Sequence, residues 1–131
     1  GRGDRLRSDA LLVQIQPGEQ LVSQQCETIF LSMKFYVYIL WSSSSNIFYI
    51  GYSSNPDERL RSHNNSLKAS FTSKHRPWVI KATLFIGESE SKAIAIERYI
   101  KGRKSRAFIE KCIHKQYDDD FINWLKSMAQ R

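Results

Sequence analysis

The chain has 131 residues, of which 41% are hydrophobic and 25% charged, enough for one domain with a real core and unlike a collagenous or grossly disordered composition. Its net charge of +7 is unevenly placed: the first 32 residues hold three Arg against two Asp and two Glu, so the cationic excess lies after them. No run approaches the ~20 apolar residues of a membrane span, the basic start leads into Gln14, Gln16, Glu19 and Gln20 instead of an apolar stretch, and Cys26 and Cys112 alone build neither a disulfide scaffold nor a zinc ribbon; the expectation is a cytoplasmic protein with reduced thiols and no membrane partner.

Residues 1–32 are rich in Gln and Ser, follow no period and contain the breaker Pro17-Gly18, so they are read as an N-terminal extension or added leader, with the domain starting at Met33. Two runs of β-formers follow, Phe35 to Trp41 and Ile47 to Tyr52, with the polar Ser42 to Asn46 between them. They predict two strands joined by a loop. Apolar residues fall on both faces of each run, which places the strands inside a sheet covered by helices. Gly51 within the second run marks a close backbone approach or a bend.

Asn55-Pro56-Asp57-Glu58 offers an N-cap, a proline at the first helical position and a capping-box glutamate, and predicts a helix from Pro56 to about Asn64. Arg59 and His63, four residues apart, share one face of it, beside Leu60 on the packed side. Trp78 to Ile86 predicts a third strand, in which Trp78, Ile80, Ala82, Leu84 and Ile86 alternate with Val79, Lys81, Thr83 and Phe85 before Gly87. A second helix is expected from Ser89 or Ser91 to about Lys101, with Ala93, Ile96 and Ile100 on one stripe, Glu97 beside it and Gly102 as the stop. Ser105 can cap a third helix through about His114, and Asp118 to Asp120 suit the start of a short terminal one. The order is β-β-α-β-α-α over a domain at 33–116, with 117–131 as a C-terminal helix or tail.

The glycines form neither a phosphate-cradling loop nor a dinucleotide fingerprint, and His63, His75 and His114 lack the short-range partners of a zinc site. What remains is a scattered set: Tyr36, Tyr38, Tyr49, Tyr52, Arg59, His63, Lys74, Arg76 and Glu97. Taken singly, each has a plainer reading, a buried ring for a strand tyrosine and a solvated helix face for Arg59 and His63. Glu97 is the least plain, because an acid bordering an apolar stripe needs a cation, a donor or a metal to offset its desolvation. Between Arg98 and Lys115 seven basic residues face one acid, Glu110, which points to a polyanion partner. Phosphate contacts are expected from Lys68, Lys74, Arg76, Lys101, Arg103, Lys104 and Arg106, with affinity falling as salt rises.

Tyr36-Val37-Tyr38-Ile39-Leu40, then Phe48-Tyr49-Ile50-Gly51, then Arg59, His63 and Glu97, in this order and at these spacings, closely resemble the motif series of the GIY-YIG nuclease superfamily. The resemblance runs from about Phe35 to Ile113 and is to the small stand-alone, single-domain bacterial members. It departs in the first motif, which reads Tyr-Val-Tyr where the family has Gly-Ile-Tyr. It implies an α/β (α+β) fold with a small three-stranded antiparallel sheet flanked by helices, and a divalent-metal-dependent endonuclease acting on DNA, with RNA left open. On this resemblance Tyr38, Tyr49, Arg59, His63 and Glu97 are the catalytic positions, and Glu97 is the metal ligand for Mg²⁺ or Mn²⁺, an ion that one carboxylate plus waters and substrate phosphate suffices to hold.

Arg59 would clamp the phosphate, Tyr49 or Tyr38 would relay a proton from the attacking water, with Tyr49 preferred, and His63 would hydrogen-bond a tyrosine or protonate the leaving group. A tyrosine near its ordinary pKa of ~10 is a poor base, so a neighbouring cation, metal-bound water or hydrogen bond must lower it, with Arg59, His63 and the metal as candidates. With no added recognition module, specificity would come from DNA structure (branched, flapped or damaged DNA in repair or recombination) or from a protein partner. The alternatives are a catalytically weak nucleic-acid-binding domain of the same fold and an interaction domain with an incidental basic surface.

Overall fold

The computed structural model describes residues 33–130; the extension expected at 1–32, with Cys26, lies outside the described residues. Phe35–Ser42 forms β1, Ile47–Ser53 β2, Pro56–Asn65 α1, Trp78–Gly87 β3, Glu90–Arg103 α2, Arg106–His114 α3 and Asp119–Ala129 α4, and a 3-10 turn at Thr72–His75 precedes β3. β1 lies between β2 and β3 and is antiparallel to both. The result is the expected α+β arrangement, a three-stranded antiparallel sheet flanked by four helices.

The helix starts follow from side-chain caps that satisfy otherwise unpaired backbone amides. Asn55 Oδ1 accepts from the Glu58 amide at 3.2 Å, Ser89 Oγ from Lys92 at 3.2 Å, Ser105 Oγ from Phe108 at 3.1 Å and Asp118 Oδ1 from Phe121 at 3.2 Å. The end of α2 differs from expectation. The helix runs through Gly102 to Arg103, and Lys104, at φ 49° and ψ 42°, takes the left-handed position usually filled by glycine. Gly102 comes two residues too early for that role, and Ser105 must begin capping the next helix at once.

Because β1 is central, both its faces are covered. Val37 and Ile39 point into the larger core with Ile50, Ala82 and Leu84, closed by Ala93, Ile96 and Ile100 of α2, Phe108 and Cys112 of α3, and Phe121, Ile122 and Leu125 of α4. Tyr38 and Leu40 point the other way and pack with Trp78, against Leu60 of α1. Each fully buried Leu, Ile or Phe contributes about 1.5–3 kcal/mol relative to exposure. Cys112 is a free thiol, and burial pushes its pKa up to about 11.

The alternation read along β3 does not stay on one face. Leu40 pairs with Ile80 and Ile39 with Ala82, so Lys81 has no partner on β1 and forms a bulge. Trp78 and Ile80 therefore join the smaller core while Ala82, Leu84 and Ile86 join the larger one. At the outer edge of the bulge the Gln116 side chain acts as a short surrogate strand: its Nε2 donates to Lys81 O at 3.2 Å and its Oε1 accepts from Thr83 N at 3.3 Å.

Deleting Lys81 leaves Ile80 and Ala82 adjacent and on their present faces, so the domain should still fold, with a regular strand in place of the bulge and a cost of about 1–3 kcal/mol from the altered twist and the lost Gln116 bond to Lys81 O. Lys81→Ala, which keeps the residue count, should stay within about 0.5 kcal/mol of the parent; urea unfolding of the two variants measures the contrast.

Candidate active site

The site lies on the α1 side of the sheet and starts from Tyr38. In the β1–β2 register Tyr38 sits opposite Gly51, and its ring crosses the space a side chain there would fill: a Cβ on Gly51 would come within 2.5 Å of Tyr38 Cζ. The glycine is thus a close-approach position, one of the two readings its sequence context allowed. Tyr38 is 1% exposed, and a phenol buried to that degree needs partners for its hydroxyl. α1 supplies them. Arg59 donates a hydrogen bond to Tyr38 Oη, and Tyr38 Oη lies 3.1 Å from His63 Nε2.

Arg59 and His63 are accordingly not a solvated helix face; His63 is 7% exposed and Arg59 half-buried. Burial first, then the positive charges of Arg59 and Arg76, lower the His63 pKa to about 4. The imidazole is neutral near pH 7, and with Arg59 donating to the phenol oxygen the Nδ1-protonated tautomer is the one in which the Tyr38 hydroxyl donates to Nε2. Of the two roles read for His63, hydrogen-bonding a tyrosine matches this geometry, whereas a neutral imidazole is poorly charged for protonating a leaving group. Burial also raises the Tyr38 pKa, against the opposing hydrogen bond and charge of Arg59. A raised pKa works against Tyr38 as a base.

Tyr49 is more open. It is half-buried, with its ring centroid 4.9 Å from His63, 6.5 Å from Tyr38 and 6.0 Å from Trp78. It stands between two clefts. One, of about 260 Å³, is lined by Arg59, His63, Lys68 and Phe71; the other, of about 350 Å³, by Ile47, Lys101, Lys104 and Arg106. Glu97, on α2, has a side chain 16% exposed and pairs with Lys101 Nζ at 3.1 Å, one helical turn on. The same ammonium lies 5.7 Å from the centre of the Tyr49 ring, and the charge of Glu97 is felt at Tyr38. Lys101 therefore links the carboxylate to the tyrosine pair.

The other cations read from the sequence divide by what their heads touch. Lys68, Lys101 and Lys104 line the clefts, and Lys74 is exposed on the 3-10 turn. Arg76 is committed to backbone carbonyls, donating to His63 O and Ser66 O at 2.6 Å each and so closing the end of α1. Arg106 bonds Asn46 O at 3.0 Å and Oδ1 at 2.7 Å and covers the Trp41 and Phe48 rings, pinning α3 to the β1–β2 turn. Arg103 lies over Tyr99 and Phe108.

Sequence reasoning passed over Asn64 and Phe71. Asn64 ties α1 to β3 by accepting from Trp78 N at 2.7 Å and donating to Trp78 O at 2.9 Å. Phe71 stands on the wall of the first cleft. The signal for it was one aromatic in an otherwise polar Ser/Lys/Thr stretch.

No group of three His, Cys, Asp or Glu side chains that could hold a metal occurs among the described residues. No helix among them is long and apolar enough to cross a membrane. In comparison with known families, the GIY-YIG catalytic domain matches residues 34–112. No curated protein matches the chain.

Two outcomes test this arrangement. The unfolded chain takes up a proton at His63 near pH 6.5 and the folded chain only near 4, so between those values the unfolded state binds more protons and stability falls as pH falls. Urea titrations at pH 7 and pH 4 should show a loss on the order of 3 kcal/mol larger in the parent than in His63→Gln. Gly51→Ala should displace the Tyr38 ring and cost about 1–3 kcal/mol, seen as a lower thermal midpoint and a changed near-UV tyrosine signal.

Proposed function

Because the chain belongs to the GIY-YIG family, a nuclease-type family whose substrates are nucleic acids, we propose that it is a divalent-metal-dependent endonuclease that hydrolyses phosphodiester bonds in DNA. The observation that carries the reading is the convergence of Tyr38, Arg59 and His63 in one hydrogen-bonded group, with Tyr49 beside it opening onto two clefts lined by cations.

Each residue has a task that its surroundings suit. The substrate backbone lies along the clefts past Tyr49, held by Lys68, Lys101 and Lys104. Arg59, kept in place by its bond to Tyr38, presents a planar guanidinium to the scissile phosphate and neutralises charge that grows in the transition state. Tyr49, the more accessible tyrosine, relays the proton of the attacking water. Tyr38 and neutral His63 are positioning residues: Tyr38 accepts from Arg59 and donates to His63, which fixes the direction of the guanidinium.

Glu97 fits a hard divalent ion. It sits where a part-buried carboxylate already compensates one positive charge, that of Lys101 at 3.1 Å, and a lone carboxylate suits Mg²⁺ or Mn²⁺ completed by water and phosphate oxygens, not a zinc cage. When bound there, such an ion supplies electrostatic stabilisation of the phosphate and the departing oxygen. Lys101 then turns its ammonium to the substrate backbone. The present Lys101–Glu97 pair favours one second reading, a nucleic-acid-binding domain of the same fold with little turnover. The endonuclease reading takes selectivity from DNA structure, as at branched, flapped or damaged sites in repair or recombination, or from a protein partner.

Cleavage of supercoiled plasmid and of branched oligonucleotides with Mg²⁺, Mn²⁺ or EDTA tests the proposal. Activity should require the metal, and Arg59→Ala and Glu97→Ala should each lower it by about 10²–10³-fold while leaving binding in EDTA within a few-fold. Binding with no cleavage of any substrate would favour the second reading.

A further inference from the structure

The 3-10 turn and the loop before it present Phe71 in an unusual way. Its side chain is 55% exposed, yet its ring is held: 6.4 Å from Tyr49 with the planes 28° apart, and 4.7 Å from His75, which is itself tied to Ser45 Oγ by Nδ1 at 2.7 Å. The backbone on both sides is fixed. Ser70 N donates to Ser73 Oγ at 2.9 Å, Ser73 Oγ donates to Ser70 O at 2.8 Å, and Trp78 Nε1 donates to Thr72 O at 2.8 Å. An aromatic ring is thus kept in water by a rigid support, on the wall of a cleft that also carries Arg59 and Lys68.

Cations that hold a phosphate backbone next to an exposed aromatic ring are the two parts of a single-strand binding surface. A base inside a duplex keeps its faces covered by its neighbours and has none to offer. We propose that Phe71 is a stacking platform for an unpaired nucleobase beside the scissile phosphate, so that this site selects nucleic acid with a single-stranded nucleotide at the point of cleavage. The inference rests on the nucleic-acid reading of the cleft and names the substrate class within it. Phe71 acts on selection and binding; the proton transfers and charge stabilisation remain with the residues already described.

The test uses the full chain in EDTA, so that binding is read apart from cleavage. Fluorescence anisotropy at one salt concentration compares a single-stranded oligonucleotide, a forked duplex and a blunt duplex, with 2-aminopurine in the unpaired arm as a stacking reporter. Phe71→Ala should weaken single-strand and fork binding about ten-fold, leave the blunt duplex within two-fold and abolish the 2-aminopurine quenching. Phe71→Tyr should restore all three, and Leu67→Ala, a change at a fully exposed apolar residue of the same loop, should alter none. Equal weakening of duplex and single strand, or no change in either, overturns the platform. Cleavage with metal is scored separately: selective loss of single-strand binding in a protein that cuts nothing supports the platform while defeating the endonuclease, and cleavage with unselective binding does the reverse.

Discussion

A phenol hydroxyl removed from water must be hydrogen-bonded by whatever covers it, and in this fold that requirement determines how the first helix meets the sheet. Tyr38 is on the central strand, where both faces are buried, and its ring rests on Gly51 of the neighbouring strand. Only a helix carrying a donor and an acceptor one turn apart can lie over it without leaving a polar atom unpaired. Arg59 and His63 are that pair. Arg76 closes the helix behind them, and Asn64 clamps its last turn to Trp78. The interactions that seat the helix are the same ones that orient the guanidinium, so stability and positioning are inseparable here.

The two faces of the sheet do different work. Toward α2, α3 and α4 lies an apolar core whose polar groups include the Cys112 thiol and the buried Tyr99 hydroxyl, which has no hydrogen-bond partner among the described residues. Toward α1 the smaller core is aromatic and polar, with Tyr38, Tyr49, His63 and Trp78 in mutual contact. The bulge at Lys81 makes this division possible, because it lets one strand give Trp78 to the second layer and Leu84 to the first. Glu97 comes from the apolar side, at the rim of its helix, and reaches the tyrosines through Lys101.

Much of this was legible from residue order. Caps and proline placement marked the helix starts because they depend on local amide bonding, and the tyrosine motifs, Arg59, His63 and Glu97 stood out by spacing. The pairing of Glu97 with a cation was foreseeable from the demand its position makes. The face switch in β3 was not, since apolar residues at Trp78, Ile80, Ala82, Leu84 and Ile86 look like unbroken alternation; a bulge is a property of two strands and is invisible in one. The end of α2 was misplaced for a similar reason: Gly102 carries the expected residue type, but the left-handed turn falls where the next helix needs it, at Lys104. Arg76 and Arg106 read as phosphate contacts because the sequence does not say that backbone carbonyls 10 to 60 residues away will claim them. Phe71 had no periodicity to place it.

The family pattern ends at Cys112, whereas the larger core is completed by Phe121, Ile122 and Leu125 of α4, which are 7%, 6% and 0% exposed. The family motifs and the closure of the core are therefore carried by different stretches of chain. A fragment trimmed to those motifs would keep every candidate site side chain and yet bare the side of the larger core that α4 covers, inviting self-association. Conversely, the last helix enjoys a latitude the strands do not: an amphipathic segment delivering apolar side chains at those three places would close the same core, which makes it the natural point at which to graft, tag or redesign this domain without touching the face that holds Tyr38, Arg59 and His63.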